Sequence, residues 1–372
     1  MRKLVARLAA LVIALSSYSA CAIAGPEDQD APLARADAGR GTDSAAVDLP
    51  DVGLGGAELD AALPDTTATD AASSDAAAAD APSAPDPDIG VPTAKIGCST
   101  ISAGTSKVVV NGMPRTFDVV LPKNTSKMAL LFLWHGWLQD PAKFANEIVY
   151  DVPLGKWVPF DPNAFPMPLM IVTPHDTKMI PPWGLDWDIA QGGKDFDYFE
   201  GMLKCITDQF SIEKKRIYSF GFSAGAVFTN LLSAKYPHLF AATVSESGAW
   251  FNDAPEQSEI TVPIVPWKWP AFDPKDHGNV LLTHGGKDDY ATVISLENCA
   301  QKAFPFLKAN GRTVVDCTHG FGHTPDPDLT QAMYYDFLWS HVNGGPALTG
   351  LPPSFPTKDK PVGSTFCQFR GP

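Results

Sequence analysis

The stretch YSFGFSAGAVF, Tyr218 to Phe228, sets Ser223 between two glycines, Gly221 and Gly225, each two positions away. Before the serine, RIYSFGF reads as an apolar strand; after it, AGAVFTNLLSAKYP reads as a helix. Glycine is a poor choice inside either element, so the junction itself must require it. G-x-S-x-G at a strand-to-helix junction predicts a turn so sharp that the residues two before and two after the serine meet, with room only for small side chains. Such a turn holds the serine oxygen clear of the backbone at a helix N-terminus. There the helix dipole and unsatisfied N–H groups favour developing negative charge.

A serine hydroxyl needs a base to take its proton, and the base needs an acid to orient it. After this kind of turn the partners are expected in the order acid, then histidine, each on the loop following a later strand. NVLLT runs into HGGKDD, which places Asp288 and Asp289 just past a strand end. RTVVDCTHGFGHT offers His319 and His323; the Gly-His tip suits a ring that must reach Ser223, so His323 is assigned as base. Upstream, MALLFLWHGW is a strand running into His135-Gly136. Its loop is expected to supply one oxyanion-binding N–H, from Trp137, with the second from Ala224, the residue after the nucleophile. His135 is read as shaping that loop without transferring protons.

The runs around these motifs define the fold class. ALLFLW and NVLLT are apolar throughout rather than alternating, as burial on both faces of a sheet requires. Together with LMIVTP, AATVSESG and the helical stretches DYFEGMLKCITDQF and TQAMYYDFLWSHV, they predict an α/β architecture: a mainly parallel central sheet with helices on both faces. KVVVN and TFDVVLP have no helix between them, so an antiparallel N-terminal edge is expected. The folded domain is placed at residues 96–345, and the Pro-rich residues 346–372 form an extension without a readable pattern.

The N-terminal region reads differently. Arg2, Lys3 and Arg7 precede the apolar run LAALVIALSS, so residues 1–24 are expected to be an export signal, too short for a comfortable membrane span. SYSAC resembles a lipoprotein cleavage box in which Cys21 would carry lipid, although Tyr18 sits where a small aliphatic residue is usual. A secreted form and an outer-surface lipoprotein tethered to the membrane through Cys21 both stay open. Residues 25–95, as in TDAASSDAAAADAPSAPDPD, lack large apolar side chains and read as a disordered linker. Residues 31–90 hold 11 Asp and one Glu against two Arg, ten of the chain's fourteen net negative charges. The remainder offers no basic surface for nucleic acid. Five further cysteines, Cys98, Cys205, Cys299, Cys317 and Cys367, suit a compartment that permits disulfides, and their spacings suggest no zinc or other metal site. A Cys299–Cys317 bridge is expected, because the two flank one helix–strand unit.

The segments LLFLWHGW, GFSAG, YPHLFAATVSESG, HGGKDD and GFGHT, with the opening GCSTISAGTSKVVVNGMPRTFDVVLP, resemble the secreted α/β-hydrolase esterases of the polyhydroxybutyrate depolymerase and feruloyl/acetyl-xylan esterase group. The resemblance covers about residues 96–343. It implies extracellular hydrolysis of carboxylic esters through a Ser-His-Asp triad, without a cofactor, with a polyester oligomer or esterified polysaccharide as substrate. The H-G-x-x-D arrangement common after this strand in related enzymes favours Asp288 as the acid, with Asp289 in reserve. Gly225-Ala226 stands where relatives often have two glycines, and EITVPIVPWKWPAFDPKD is longer and richer in Trp and Pro than the group leads one to expect. Trp183 and Trp187 in PPWGLDWD, and Trp267, are candidate substrate platforms, with burial in the core as the plainer alternative. A prolyl-oligopeptidase-like serine peptidase uses the same triad, but no propeller-like partner is visible. A catalytically silent binding module is the other alternative.

Overall fold

A computed structural model of the chain describes residues 92–177, 186–250, 261–262, 265–266, 269–273, 278–291 and 294–371. The expected export signal, Cys21, the linker as far as residue 91, Trp183 and Trp267 lie outside the described residues. The strands, in chain order, begin with β1 (Ile96–Cys98), β2 (Gly104–Val110), β3 (Met113–Val120), β4 (Met128–Trp134), β5 (Val149–Asp151), β6 (Lys156–Val158), β7 (Leu169–Pro174) and β8 (Ile212–Phe222). They continue with β9 (Ala242–Glu246), β10 (Thr261–Val262), β11 (Val265–Pro266), β12 (Asn279–His284), β13 (Tyr290–Ala291), β14 (Ile294–Ser295), β15 (Thr313–Thr318) and β16 (Phe366–Arg370). The helices are α1 (Pro141–Asn146), α2 (Gly193–Gln209), α3 (Ala224–Lys235), α4 (Leu296–Ala309) and α5 (Gln331–Trp339). None of the described helices is long and apolar enough to cross a membrane.

Ten strands form one sheet in the order β1-β2-β3-β7-β4-β8-β9-β12-β15-β16. From β7 to β15 every neighbouring pair is parallel. Every residue of β4, β7, β9 and β12 is buried, which is why these strands are predominantly apolar or small-residue runs without alternation, with polar residues at the ends of β9 and β12. Successive side chains of β4 divide between the two faces. Leu130, Phe132 and Trp134 join the core that holds Phe199 and Met202 of α2 and Phe228 and Leu231 of α3. Ala129, Leu131 and Leu133 join the core that holds Phe144 of α1 and Tyr334 and Phe337 of α5.

The N-terminal edge is antiparallel, β1-β2-β3-β7, as expected. Val110 pairs with Met113, so only Asn111-Gly112 turns the chain, both with positive φ (49° and 82°). Asn-Gly is the dipeptide that tolerates this geometry best, and its twist matches the strands it joins. Cys98 of β1 is bonded to Cys205 of α2, which fastens the outermost strand to the helix covering it.

The far edge departs from expectation. The C-terminal segment, read as an extension without a pattern, returns as β16 and pairs antiparallel with β15. Cys317 is bonded to Cys367, its direct partner across that ladder, and not to Cys299. The expected Cys299–Cys317 bridge fails because proximity in sequence is not proximity across a sheet. Cys299 faces the core under α4 and α3, whereas Cys317 faces the opposite core with α5.

The 50 residues between Cys317 and Cys367 make the bond entropically substantial. Cys317→Ser with Cys367→Ser is expected to lower unfolding free energy by about 2–4 kcal/mol. Urea titration of the double variant beside the parent measures this, and an unchanged midpoint would show that the ladder alone holds β16.

Candidate active site

Strand β8 ends at Phe222 and α3 begins at Ala224, so Ser223 alone makes the corner, with φ 54° and ψ −121°. A non-glycine residue held there is strained, and such strain persists only where surrounding structure enforces it. The Ser223 N–H donates to the Glu246 carbonyl (2.9 Å), and the Ser223 carbonyl accepts from the Val227 N–H (3.0 Å). A Cβ at Gly221 would lie 2.2 Å from the Gly225 carbonyl oxygen, and one at Gly225 would lie 2.0 Å from that of Trp134. Both glycines are therefore required by backbone packing. Residues 224–234 of α3 are all buried, so the helix is embedded and holds the corner rigidly.

The Ser223 hydroxyl lies 2.9 Å from His323 Nε2, and His323 Nδ1 lies 2.7 Å from Asp289 Oδ1. With the Nδ1–H donated to the carboxylate, Nε2 is left to accept the serine proton. Asp289 is fully buried, and its Oδ2 accepts from the Gly285 N–H and the Ser247 hydroxyl, both at 2.8 Å. The acid expected from the sequence, Asp288, is elsewhere: it is exposed and pairs with Lys287 through both carboxylate oxygens (2.7 and 2.8 Å). The reason is local. Gly286–Asp288 form a single 3₁₀ turn after β12, and each residue of such a turn rotates the side-chain direction by about 120°. The inward-facing position falls one residue later than motif spacing implies. His319 is buried, its N–H bonded to the His284 carbonyl (3.0 Å), and it is His323 that meets Ser223. The acid and histidine loops touch backbone to backbone: the Gly322 N–H donates to the Gly285 carbonyl at 3.2 Å, and a Cβ at Gly285 would lie 1.9 Å from the Gly322 oxygen.

Ser223, His323 and Asp289 thus form one hydrogen-bonded line at a strand–helix corner, in the chain order serine, aspartate, histidine. The family model described as Esterase PHB depolymerase matches residues 123–262, which include the loop after β4 and Ser223. The fold is that of the α/β-hydrolases, and the resemblance is to PHB depolymerase-type esterases. Probable acetylxylan esterase A of Aspergillus flavus is 24% identical over 195 residues, 45% of this chain and 59% of that protein. Poly(3-hydroxyalkanoate) depolymerase C of Paucimonas lemoignei is 26% identical over 200 residues, 51% of this chain and 47% of that protein. The chain thus spans about half the length of the curated relatives it matches. The solved structure of native sOPH has a TM-score of 0.55 at 18% identity, over 73% of this chain and 97% of that one. The resemblance read from the sequence and the expected fold class are both borne out.

Beside the Ser223 corner, the loop after β4 is a tight turn. A Cβ at Gly136 would lie 3.2 Å from Ser223 Cβ, so the loop runs directly along the nucleophile. The Gly136 N–H donates to Gln139 Oε1 (2.7 Å), the Gln139 N–H to the Gly136 carbonyl (3.2 Å), and the Leu138 N–H to Asp186 Oδ2. The expected donors stand on the two segments flanking Ser223: Trp137 in this loop, with 43% of its side chain exposed, and Ala224 at the first position of α3, where a helix N–H lacks an intrahelical acceptor.

Trp187 is placed otherwise than expected for a substrate platform. It is fully buried, edge-on to Trp134 (5.0 Å), stacked on Phe228 (5.7 Å), and its indole N–H donates to the His135 carbonyl at 2.9 Å. A flat aromatic next to the loop is needed there for support, which composition alone does not distinguish from a role in binding.

Behind the corner lies a buried polar set that motif reading missed. Glu246, whose carbonyl receives the Ser223 N–H, ends β9 fully buried, and its carboxyl accepts from the Tyr334 hydroxyl. Burial pushes its pKa up to about 8. Asp326, three residues past His323, is buried too, is pushed up to about 6 by burial, and accepts from the Thr365 hydroxyl (2.9 Å). Ser364 Oγ in turn accepts from the Gly320 N–H (3.0 Å), so the segment leading into β16 braces the histidine loop. The one hint in the sequence was an acidic residue inside the strand AATVSESG.

The raised pKa of Glu246 has a definite sign. A carboxyl that keeps its proton when folded but not when unfolded stabilises the fold below about pH 4.5 and loses that contribution as pH rises through about 8. Unfolding free energy is expected to fall by about 1–2 kcal/mol between pH 6.5 and 8, at up to about 1.4 kcal/mol per pH unit. Glu246→Gln should flatten that slope. Urea unfolding of both proteins across this window is the measurement, and equal slopes would contradict a protonated Glu246.

Proposed function

We propose that this chain is an exported serine esterase that hydrolyses carboxylic esters through an acyl-enzyme. The observation that carries the reading is the continuous hydrogen-bonded line from Ser223 through His323 to the buried Asp289 (2.9 and 2.7 Å). Ser223 Oγ attacks the ester carbonyl while His323 Nε2 takes its proton; the imidazolium then protonates the departing alcohol. Asp289 fixes the tautomer and balances the transient charge. Backbone N–H groups of Trp137 and Ala224 receive the developing oxyanion, and the dipole of α3 adds to them. Water, activated by His323, releases the acid.

Substrate would approach over a cleft of about 550 Å³ lined by Leu138, Gln139, Phe144, Trp157, Thr324 and Pro325, residues adjoining Trp137 on one side and His323 on the other. Its mixed apolar and polar lining suits a polyester oligomer or an esterified polysaccharide, the substrate kinds named by the relatives. The export reading over residues 1–24 and the disulfides Cys98–Cys205 and Cys317–Cys367 support a secreted or outer-surface protein. Labelling with a fluorophosphonate probe, followed by peptide mapping, tests the chemistry, and modification anywhere but Ser223 would overturn it. Rates on hydroxybutyrate oligomers, methyl ferulate and acetylated xylan then rank the substrates. Hydrolysis of peptide amides in preference to all three would favour a peptidase.

A further inference from the structure

His135, Asp176 and Asp186 lie apart from the triad, on the loops that follow β4 and β7. One ligand atom from each falls within 4.8 Å of the others. The histidine is fully buried and Asp186 nearly so, and the Asp176 side chain is 2% exposed. Three observations distinguish this group from an ordinary buried ion pair. First, His135 Nδ1 lies 2.9 Å from the Gly136 carbonyl, which can only accept, so Nδ1 carries a proton and Nε2 is the nitrogen turned toward the carboxylates. Second, Nε2 makes no hydrogen bond although Asp176 Oδ2 is 3.3 Å away. Charge-assisted N–H···O⁻ bonds run about 2.7–2.9 Å, and the His323–Asp289 contact of this same protein is 2.7 Å. Third, the 3.3 Å between His135 and Asp176 matches the roughly 3.3–3.4 Å between N and O on a shared tetrahedral ion with bonds of about 2.0–2.1 Å, and the remaining carboxylate, within 4.8 Å of these atoms, has to draw in when the ion binds.

We propose that His135, Asp176 and Asp186 bind one divalent cation of the zinc type. Imidazole and two carboxylates are a donor set suited to such an ion, and its charge neutralises the two acids in a place that excludes water. The His135 ring is backed by Trp187 at 4.9 Å, and its Nδ1–H bond to a carbonyl is the arrangement that orients ligating histidines. The ion joins the stems of two loops to the turn beside Ser223, because Asp186 also receives the Leu138 N–H. The site is structural, and no step of ester hydrolysis passes through it. The inference therefore stands whether or not the triad assignment does.

The test uses the full chain, stripped with chelator and dialysed into metal-free buffer, with zinc chloride as the probe. Calorimetric titration is expected to find one zinc per chain and the melting temperature to rise with added zinc. Asp176→Asn and Asp186→Asn should each weaken binding at least tenfold, and X-ray absorption at the zinc edge should show nitrogen and oxygen ligands with one imidazole. Absence of uptake by the parent protein, or uptake undiminished in both variants, would overturn the site. Should either variant fail to fold, the stoichiometry and absorption spectrum of the parent decide alone.

Discussion

Ser223→Ala is expected to lower kcat for a p-nitrophenyl ester by about 10⁵–10⁶-fold, with KM little changed. Removing Oγ deletes the atom that forms the acyl bond, and nothing else near the corner replaces it. His323 and Asp289 then have no proton to move, so the residual rate comes from whatever the oxyanion donors and substrate positioning supply, roughly 10³–10⁴-fold over water. The substitution is also structurally mild. The methyl group fits the space of the hydroxymethyl, and the backbone bonds of Ser223 to Glu246 and Val227 do not involve the side chain. Ala at a positive φ gains no relief, so the fold should melt near the parent temperature. Steady-state kinetics with active-site titration measure the effect. A variant within tenfold of the parent, with no pre-steady-state burst in either, would remove the acyl-enzyme.

The second large effect separates two neighbours. Asp289→Asn is expected to lower kcat by about 10⁴-fold, and Asp288→Asn to change it less than twofold. Asp289 receives three hydrogen bonds, from His323, Gly285 and Ser247. An amide there can keep the Gly285 and Ser247 bonds only by directing its oxygen to them and its NH₂ at the ring. His323 Nδ1 would then have to accept, placing the remaining proton on Nε2, aimed at the serine it should deprotonate. Asp288 touches only the flexible end of Lys287, and an exposed pair of this kind contributes little. Parallel kinetics on the two variants decide the matter. The opposite pattern would mean that the 3₁₀ turn is rearranged when substrate binds.

Much of this was legible before any coordinates. Strands buried on both faces show themselves as unbroken apolar runs, and Gly221 is dictated by a contact four residues away in the chain, with Gly225, although Gly225 itself answers to the distant Trp134 carbonyl. The meeting of His323 with Ser223 was legible because chain order and loop position are topological properties of the fold. What escaped has one physical origin. Motif spacing points to Asp288 and not Asp289 because it records distance along the chain but not side-chain direction, which each residue of the 3₁₀ turn rotates by about 120°. The Cys317–Cys367 bond and β16 escaped because edge pairing joins segments 50 residues apart, and a short strand of mixed polarity leaves no periodic trace. Glu246 escaped because a buried acid is recognised by its partner, and Tyr334 lies on a distant helix. Trp187 carries the same lesson for aromatics: its neighbours, and not its kind, set its role.

The strand at the far edge of the sheet bears on how the protein withstands proteolysis. The polypeptide just ahead of it, Ser364-Thr365, reaches the same short loop that presents His323, through Gly320 and Asp326. A protease that clipped the chain near residue 363 is therefore expected to loosen the His323 loop from the rear. The Cys317–Cys367 bond would retain the severed end until reducing conditions broke it.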